Sequence, residues 1–168
     1  MPRKPPAAAA LPPSERTIIT LIGAIQFINV LDFMMVMPLG PDLAAAVGIS
    51  ASQLGLLSFS YAAAACCAGA LGALFLDRFD RRSALAVALL GLVVGTAAGG
   101  LATGQWTMLL SRVIAGAFGG PATSLSIAVV ADSVPVERRG RALGAVMGAF
   151  SVASVFGVPA GLFLARHG

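Results

Sequence analysis

The sequence contains few of the residues that make a protein soluble in water. Of its 168 residues only 11% are charged and 7% are aromatic, whereas 58% are hydrophobic. A soluble domain usually carries about 25% charged residues. The shortage of charge therefore excludes an ordinary water-soluble globule, and the excess of apolar residues excludes a disordered chain.

Cysteine and histidine are also scarce. The two cysteines, Cys66 and Cys67, are adjacent within an apolar run, so they predict small packing residues and no disulfide framework. The single histidine, His167, stands in the C-terminal tail. There is no glycine-rich phosphate loop, no cluster of metal ligands and no Ser/His/Asp arrangement. The sequence therefore predicts no enzyme, no cofactor and no metal site.

Long apolar runs dominate what is present, with a mean hydropathy of +0.91. A membrane-spanning helix needs about 20 apolar residues at about 1.5 Å each. Five segments meet that length, and they cover about residues 17–37, 53–76, 83–103, 106–130 and 141–165. We expect an all-α membrane protein, with a helical bundle over 17–168 behind a disordered cytoplasmic tail over 1–16.

The basic residues are distributed unevenly between the two sides of this bundle. A net charge of +4 would suggest a nucleic-acid partner in a soluble chain, but here the basic residues form short clusters between apolar runs. Nine of them fall on one side: Arg3, Lys4, Arg16, Arg78, Arg81, Arg82, Arg138, Arg139 and Arg141. Only Arg166 falls on the other. The positive-inside rule predicts a cytoplasmic N-terminus.

One acidic residue, Asp32, lies inside the first apolar segment. A carboxylate in a membrane helix costs a few kcal/mol, so it should face protein or a water-filled cavity. At about 100° per residue, Gln26, Asn29, Asp32 and Phe33 share about a third of the helix surface. This stripe predicts the wall of a substrate cavity. The alternative is an interfacial aspartate that reaches outward from the helix end.

A basic residue, Arg112, lies inside the fourth segment. It follows Trp106 by six residues, and Asp32 precedes Pro38 by six residues, so both lie about 9 Å from the outer end of their helices. Charges within membranes are tolerated when they pair. Equal depth and opposite sign therefore predict an Asp32–Arg112 pair that couples protons to transport.

Glycines recur every four residues, a spacing that lets membrane helices approach closely. They are Gly91, Gly95 and Gly99, then Gly116 and Gly120, then Gly140, Gly144 and Gly148, and lastly Gly157 and Gly161. This pattern predicts a tightly packed bundle. It also leaves open an alternative function, a small binding or regulatory membrane protein that acts through its glycine-rich helices.

The loop between the second and third segments resembles the major facilitator superfamily. That family carries G-x-L-x-D-R-x-G-R-R there. In this sequence the acid and the arginines match as Asp77, Arg78, Arg81 and Arg82, while Ala73 and Asp80 replace the two glycines. The resemblance implies that the loop acid gates the cytoplasmic side of a transporter against its second half.

Further motifs extend the resemblance over about residues 15–168. The fourth segment contains Arg112 and Gly116 in the family's R-x-x-x-G, which is associated with proton transfer. The fifth contains Gly148, Gly157, Pro159 and Gly161, similar to the glycine–proline motif of proton-driven exporters. The resemblance implies a 12-helix antiporter for drugs or sugars in the bacterial inner membrane, with lipid, protons and a small molecule as partners. The present chain is then a fragment truncated before helix six, without the C-terminal half.

Overall fold

The computed structural model describes residues 13–75 and 79–167, which form helices and turns without any strand. The elements are α1 (Pro13–Met35), α2 (Gly40–Val47), α3 (Ala51–Phe75), α4 (Arg81–Gly100), α5 (Gln105–Ser133), α6 (Val136–Val152), a π-helical turn (Ala153–Gly157) and α7 (Val158–His167). Five of the described segments are long and apolar enough to cross a membrane. The predicted fold class, an all-α membrane bundle with five spanning helices, is confirmed.

The helix ends differ from the expected positions by a few residues. Helix α1 begins at Pro13, so the last four residues of the expected tail are helical, while residues 1–12 lie outside the described part. The expected fifth span, 141–165, begins earlier, at Val136. It also contains a π-helical turn at Ala153–Gly157, just ahead of Pro159. Proline has no N–H to donate to the preceding turn, which accounts for the irregularity there.

The short helix α2 was not expected from hydropathy, because eight residues cannot span a bilayer. Its ends nevertheless carry ordinary signals. Pro41 stands in its first turn, where a missing N–H is harmless, and Gly48 follows its last residue with φ of 70°. This left-handed conformation favours glycine. Helix α2 packs against α3 and turns the chain between the first two spans.

Helix α5 is the centre of the bundle and contacts α1, α3, α4 and α6. Glycine makes these contacts close. A Cβ on Gly95 of α4 would lie 2.6 Å from the backbone nitrogen of Ala115, and a Cβ on Gly120 of α5 would collide with the backbone of Ala65 on α3. The expectation of glycine-mediated packing holds for these helices. It is wrong for Gly140, Gly144 and Gly148, which meet nothing within 4 Å in the described part of the chain.

The two ends of the bundle differ in charge. At the end that we call the basic end, Arg138 of α6 pairs with Glu15 of α1 at 2.9 Å. At the end that we call the opposite end, Gln53 of α3 donates to Gln105 of α5 at 2.9 Å. The deep polar residues of α1 and α5 lie between these two layers.

Candidate functional site

The site is centred on Asp32 of α1 and Arg112 of α5. The guanidinium Nη1 lies 3.4 Å from the carboxylate Oδ1, and both side chains are more than 90% buried. The two residues come from different spans, 80 positions apart in sequence, and α1 and α5 are neighbours in the bundle. The pair expected from equal depth and opposite charge is thus in contact within the structure.

Thr96 of α4 is the third member of this cluster. Its hydroxyl lies 2.9 Å from Asp32 Oδ1 and also 2.9 Å from the carbonyl oxygen of Leu92, one turn earlier. The contacts to Asp32 therefore converge on one carboxylate oxygen. Asp32 Oδ2 and Arg112 Nε are buried without a hydrogen-bond partner among the described residues. The pair is close but incompletely satisfied.

Asn29, one turn before Asp32 on α1, organises a second polar group. Its amide Nδ2 donates to the carbonyl of Gly119 at 3.1 Å and to the hydroxyl of Thr123 at 2.8 Å, both on α5. The phenol of Tyr61 on α3 donates to Asn29 Oδ1 at 2.9 Å. Asn29 thereby joins three spans, and the small Gly119 admits the side chains that meet there.

A cleft of 160 Å³ lies beside Asn29, and we call it the substrate cleft after the sequence prediction that these residues line a substrate cavity, which stays a prediction. Gln26, Asn29 and Phe33, the residues expected to line a cavity, all line it, together with Tyr61. The rings of Phe33 and Tyr61 are 5.3 Å apart at their centroids and tilted by 39°. Gln26 Oε1 is buried without a partner in the described part of the chain. The cleft thus combines an aromatic wall with amide and hydroxyl groups.

The gate loop expected from the family motif is only partly described. Asp77 and Arg78 lie outside the described residues. Arg81, the first residue of α4, pairs with Asp132 near the end of α5, and Arg82 beside it is exposed. Arg81 therefore links α4 to α5 at the basic end.

Asp80 replaces a motif glycine and has a clear structural role. Its Oδ2 accepts from the backbone nitrogen and the hydroxyl of Ser83, each at 3.0 Å, so it caps α4. These hydrogen bonds hold the pKa of the exposed Asp80 carboxyl below its ordinary value, the backbone N–H of Ser83 contributing most. The departure from the motif supplies a helix cap.

The glycine–proline motif lies along the last span. Gly157 faces the ring of Phe27, and Gly161 faces the thioether of Met35, both on α1. Pro159 is exposed in the first turn of α7, next to the π-helical turn. Gly148 faces open space. Two of the three glycines therefore allow a close approach to α1.

Tyr61, Thr96 and Thr123 were missed by the sequence analysis. Each is a polar residue within an otherwise apolar span, and Tyr61 is the only tyrosine of the chain. That signal could have marked them, but contact with Asn29 or Asp32 depends on how helices pack. Within residues 13–75 and 79–167 no group of three His, Cys, Asp or Glu side chains could hold a metal ion.

Several membrane-spanning helices around a buried ion pair and a polar–aromatic cleft define a polytopic helical membrane protein. Comparison with known sequences identifies the family. The chain belongs to the Major Facilitator Superfamily, whose family model matches residues 22–168.

Three relatives illustrate the likeness. The chain is 31% identical over 131 residues to YwfA of Bacillus subtilis, described as an uncharacterized MFS-type transporter, covering 78% of this chain and 32% of the relative. It is 28% identical to the chloramphenicol resistance protein of Streptomyces lividans, covering 77% and 33%. It is 27% identical to multidrug resistance protein 2 of Bacillus subtilis, covering 92% and 38%. The chain thus spans about a third of the length of these relatives.

Proposed function

We propose that the chain is the N-terminal part of a proton-coupled exporter of small molecules. The observation that carries this proposal is the buried Asp32–Arg112 pair inside a membrane bundle. A titratable carboxyl group held there beside a permanent cation is suited to proton exchange. We further propose the bacterial inner membrane as its location, with the N-terminus in the cytoplasm, which the basic loops support.

Asp32 is the proposed proton carrier, and Arg112 is the residue that balances it. The guanidinium of Arg112 is a permanent cation that pairs with the carboxylate of Asp32. When the transporter opens to the other side of the membrane, the access of water to this pair changes. Asp32 then takes up a proton on one side and releases it on the other.

The substrate cleft is the proposed place of the transported molecule. Its two amide side chains, Gln26 and Asn29, belong to the same helix as Asp32, so occupation of the cleft and protonation of Asp32 can be linked through α1. Gln26 and Asn29 offer amide hydrogen bonds, and Phe33 offers an aromatic face. The names of the chloramphenicol and multidrug resistance relatives support a drug-like small molecule as the cargo.

Alternating access also needs a gate and a bending element. We assign the cytoplasmic gate to Asp77, Arg78, Arg81 and Arg82, on the basis of the motif match. We assign the bending element to the glycine–proline motif of Gly148, Gly157, Pro159 and Gly161. The π-helical turn ahead of Pro159 supports this role, since such turns mark functional irregularities in helices. A second half of the transporter is the expected partner of the gate.

Transport by a chimera tests the proposal. This chain replaces the matching segment of the Streptomyces lividans chloramphenicol resistance protein, and the chimera is reconstituted in liposomes. We expect an imposed pH gradient to drive accumulation of chloramphenicol, and Asp32→Asn to abolish that accumulation. Asp42→Asn, which alters an exposed carboxylate on α2, is the matched control and should leave accumulation intact. Proton-driven accumulation by the Asp32→Asn variant would show that coupling resides elsewhere.

A further inference from the structure

A second cleft, of 170 Å³, lies on another side of Asp32. It is formed between α1, α2, α4 and α5, and none of its lining residues also lines the substrate cleft. Asp32, Thr96 and Arg112 line its inner part. Asp32 is therefore bordered by a cavity whose lining is distinct from that of the substrate cleft.

The outer part of this cleft reaches the opposite end of the bundle. Gly100 is the last residue of α4 and is exposed, and Leu39 belongs to the turn after α1. From Thr96 to Gly100 the axis of α4 advances about 6 Å. Leu43 of the short helix α2 also lines the cleft. The cleft thus extends along α4 from the ion pair towards the end of the bundle.

The inner part of the cleft is lined by the ion pair. Asp32 Oδ1 is engaged by Thr96 and Arg112, whereas Asp32 Oδ2 and Arg112 Nε are buried and unpartnered among the described residues. A cavity of this size admits several water molecules, and polar groups that line such a cavity are normally satisfied by ordered water. Water in the cleft therefore adjoins the ion pair.

We propose that this second cleft is a proton-access path from the opposite end of the bundle to Asp32, separate from the substrate cleft. The inference rests on the proposed coupling role of Asp32. A hydrated proton in the cleft transfers H⁺ to the carboxylate of Asp32, which leaves a neutral water molecule and a neutral carboxyl group. Within the described part of the chain, the charged and titratable groups that interact with Asp32 are Arg112 of α5 and Tyr61 of α3, while α4 contributes the uncharged Thr96.

Filling the outer part of the cleft tests the path. A Cβ at Gly100 meets no described atom within 4 Å, so Gly100→Leu adds a side chain without a clash at its base. The 168-residue chain is placed in lipid nanodiscs, and infrared spectroscopy follows the carboxyl band of Asp32 after a rapid drop in pH. Asp32→Asn identifies that band by its loss. We expect Gly100→Leu to slow protonation about tenfold, equivalent to an added barrier of roughly 1.4 kcal/mol, and Gly100→Ala to slow it less.

The control is Gly104→Leu, at the same end of the bundle and outside the cleft. Gly104 has an extended backbone, and a Cβ there also meets nothing within 4 Å. The rate at which Asp32 is protonated in the Gly104→Leu variant should equal the rate in the unmodified chain. An unchanged rate in Gly100→Leu, with a native helical spectrum, would overturn the access path. A carboxyl band that fails to titrate in the unmodified chain would instead overturn the coupling role of Asp32.

Discussion

At the scale of the residue, the contacts of the ion pair involve only one carboxylate oxygen of Asp32. Thr96 and Arg112 both approach Oδ1, at 2.9 and 3.4 Å, and leave Oδ2 without a described partner. Asp32 also lines the second cleft, and the proposed proton path depends on this contact.

Removing one member of the pair should destabilise the bundle. Arg112→Met leaves Asp32 buried without its cation, and such a change in a buried pair costs roughly 3–5 kcal/mol. Asp32→Asn combined with Arg112→Met should cost less than the sum of the two single changes, because the double variant contains no unpaired charge. The free energy of unfolding of each variant in mixed micelles, followed by circular dichroism, measures this coupling. Strict additivity would mean that the two side chains do not interact.

The cap at Asp80 should make the first turn of α4 sensitive to acid. The pKa of this carboxyl is lowered in the folded chain, so its capping contribution is complete above the ordinary carboxyl pKa and is lost as the pH falls through the lowered value. Amide hydrogen exchange at Ser83 should therefore accelerate in acid relative to its intrinsic rate. In Asp80→Ala the amide should exchange fast at every pH, whereas Asp80→Asn should preserve part of the protection. Equal protection in Asp80→Ala would disprove the cap.

At the scale of the element, glycine decides which helices approach closely. Gly95 of α4 touches the backbone of α5, and Gly116 of α5 touches the backbone of α3 near Tyr61. Backbone atoms cannot move away independently as a flexible side chain can. The contacts around α5 therefore hold Arg112 and Gly119 where they meet the polar residues of α1.

The effect of a glycine-to-alanine substitution on stability should depend on how closely that glycine is packed. Gly95→Ala would bring a Cβ to within 2.8 Å of the Cα of Ala115, so α4 must move away from α5. Overpacking of this kind costs roughly 1–3 kcal/mol. Gly144→Ala, where a Cβ meets nothing within 4 Å, should be neutral or slightly stabilising, since alanine favours helices. Comparable destabilisation of both variants in unfolding measurements would refute the assigned α4–α5 contact.

The elements also show what a sequence can and cannot reveal. Apolar length predicted five spans, because a bilayer imposes its thickness on each helix. It missed α2, which is too short to span, and the π-helical turn at Ala153–Gly157, because apolar length does not report the backbone hydrogen bond that Pro159 cannot donate. The equal depth and opposite charge of Asp32 and Arg112 predicted a pair. The contact of the Thr96 hydroxyl with Asp32 could not be predicted, because it depends on how α4 packs in the bundle.

At the scale of the whole molecule, the two ends of the bundle differ in charge. The basic end carries the ion pairs Arg138–Glu15 and Arg81–Asp132, while the opposite end carries the Gln53–Gln105 hydrogen bond. Asp32 lines the second cleft, whereas its neighbours Asn29 and Phe33 line the substrate cleft. The proposed proton path and the proposed cargo site therefore meet α1 at separate places.

The proposed orientation predicts which end reacts with an impermeant thiol reagent. With Cys66 and Cys67 replaced by alanine, Thr103→Cys at the opposite end should be labelled from outside intact cells. Val136→Cys at the basic end should react only after the membrane is permeabilised. Both positions are exposed in the structure, so accessibility within the protein does not limit the reaction. Labelling of Val136→Cys alone in intact cells would show that the protein has the opposite orientation in the membrane.

Proton release on binding tests the central claim, that Asp32 exchanges its proton for cargo, most directly. Chloramphenicol is added to the chimera in weakly buffered detergent solution with a pH indicator, over a series of starting pH values. We expect binding to release a proton, Asp32→Asn to bind without release, and Asp42→Asn to behave as the unmodified chimera. Undiminished proton release on binding by the Asp32→Asn variant would contradict the exchange of proton for cargo at Asp32.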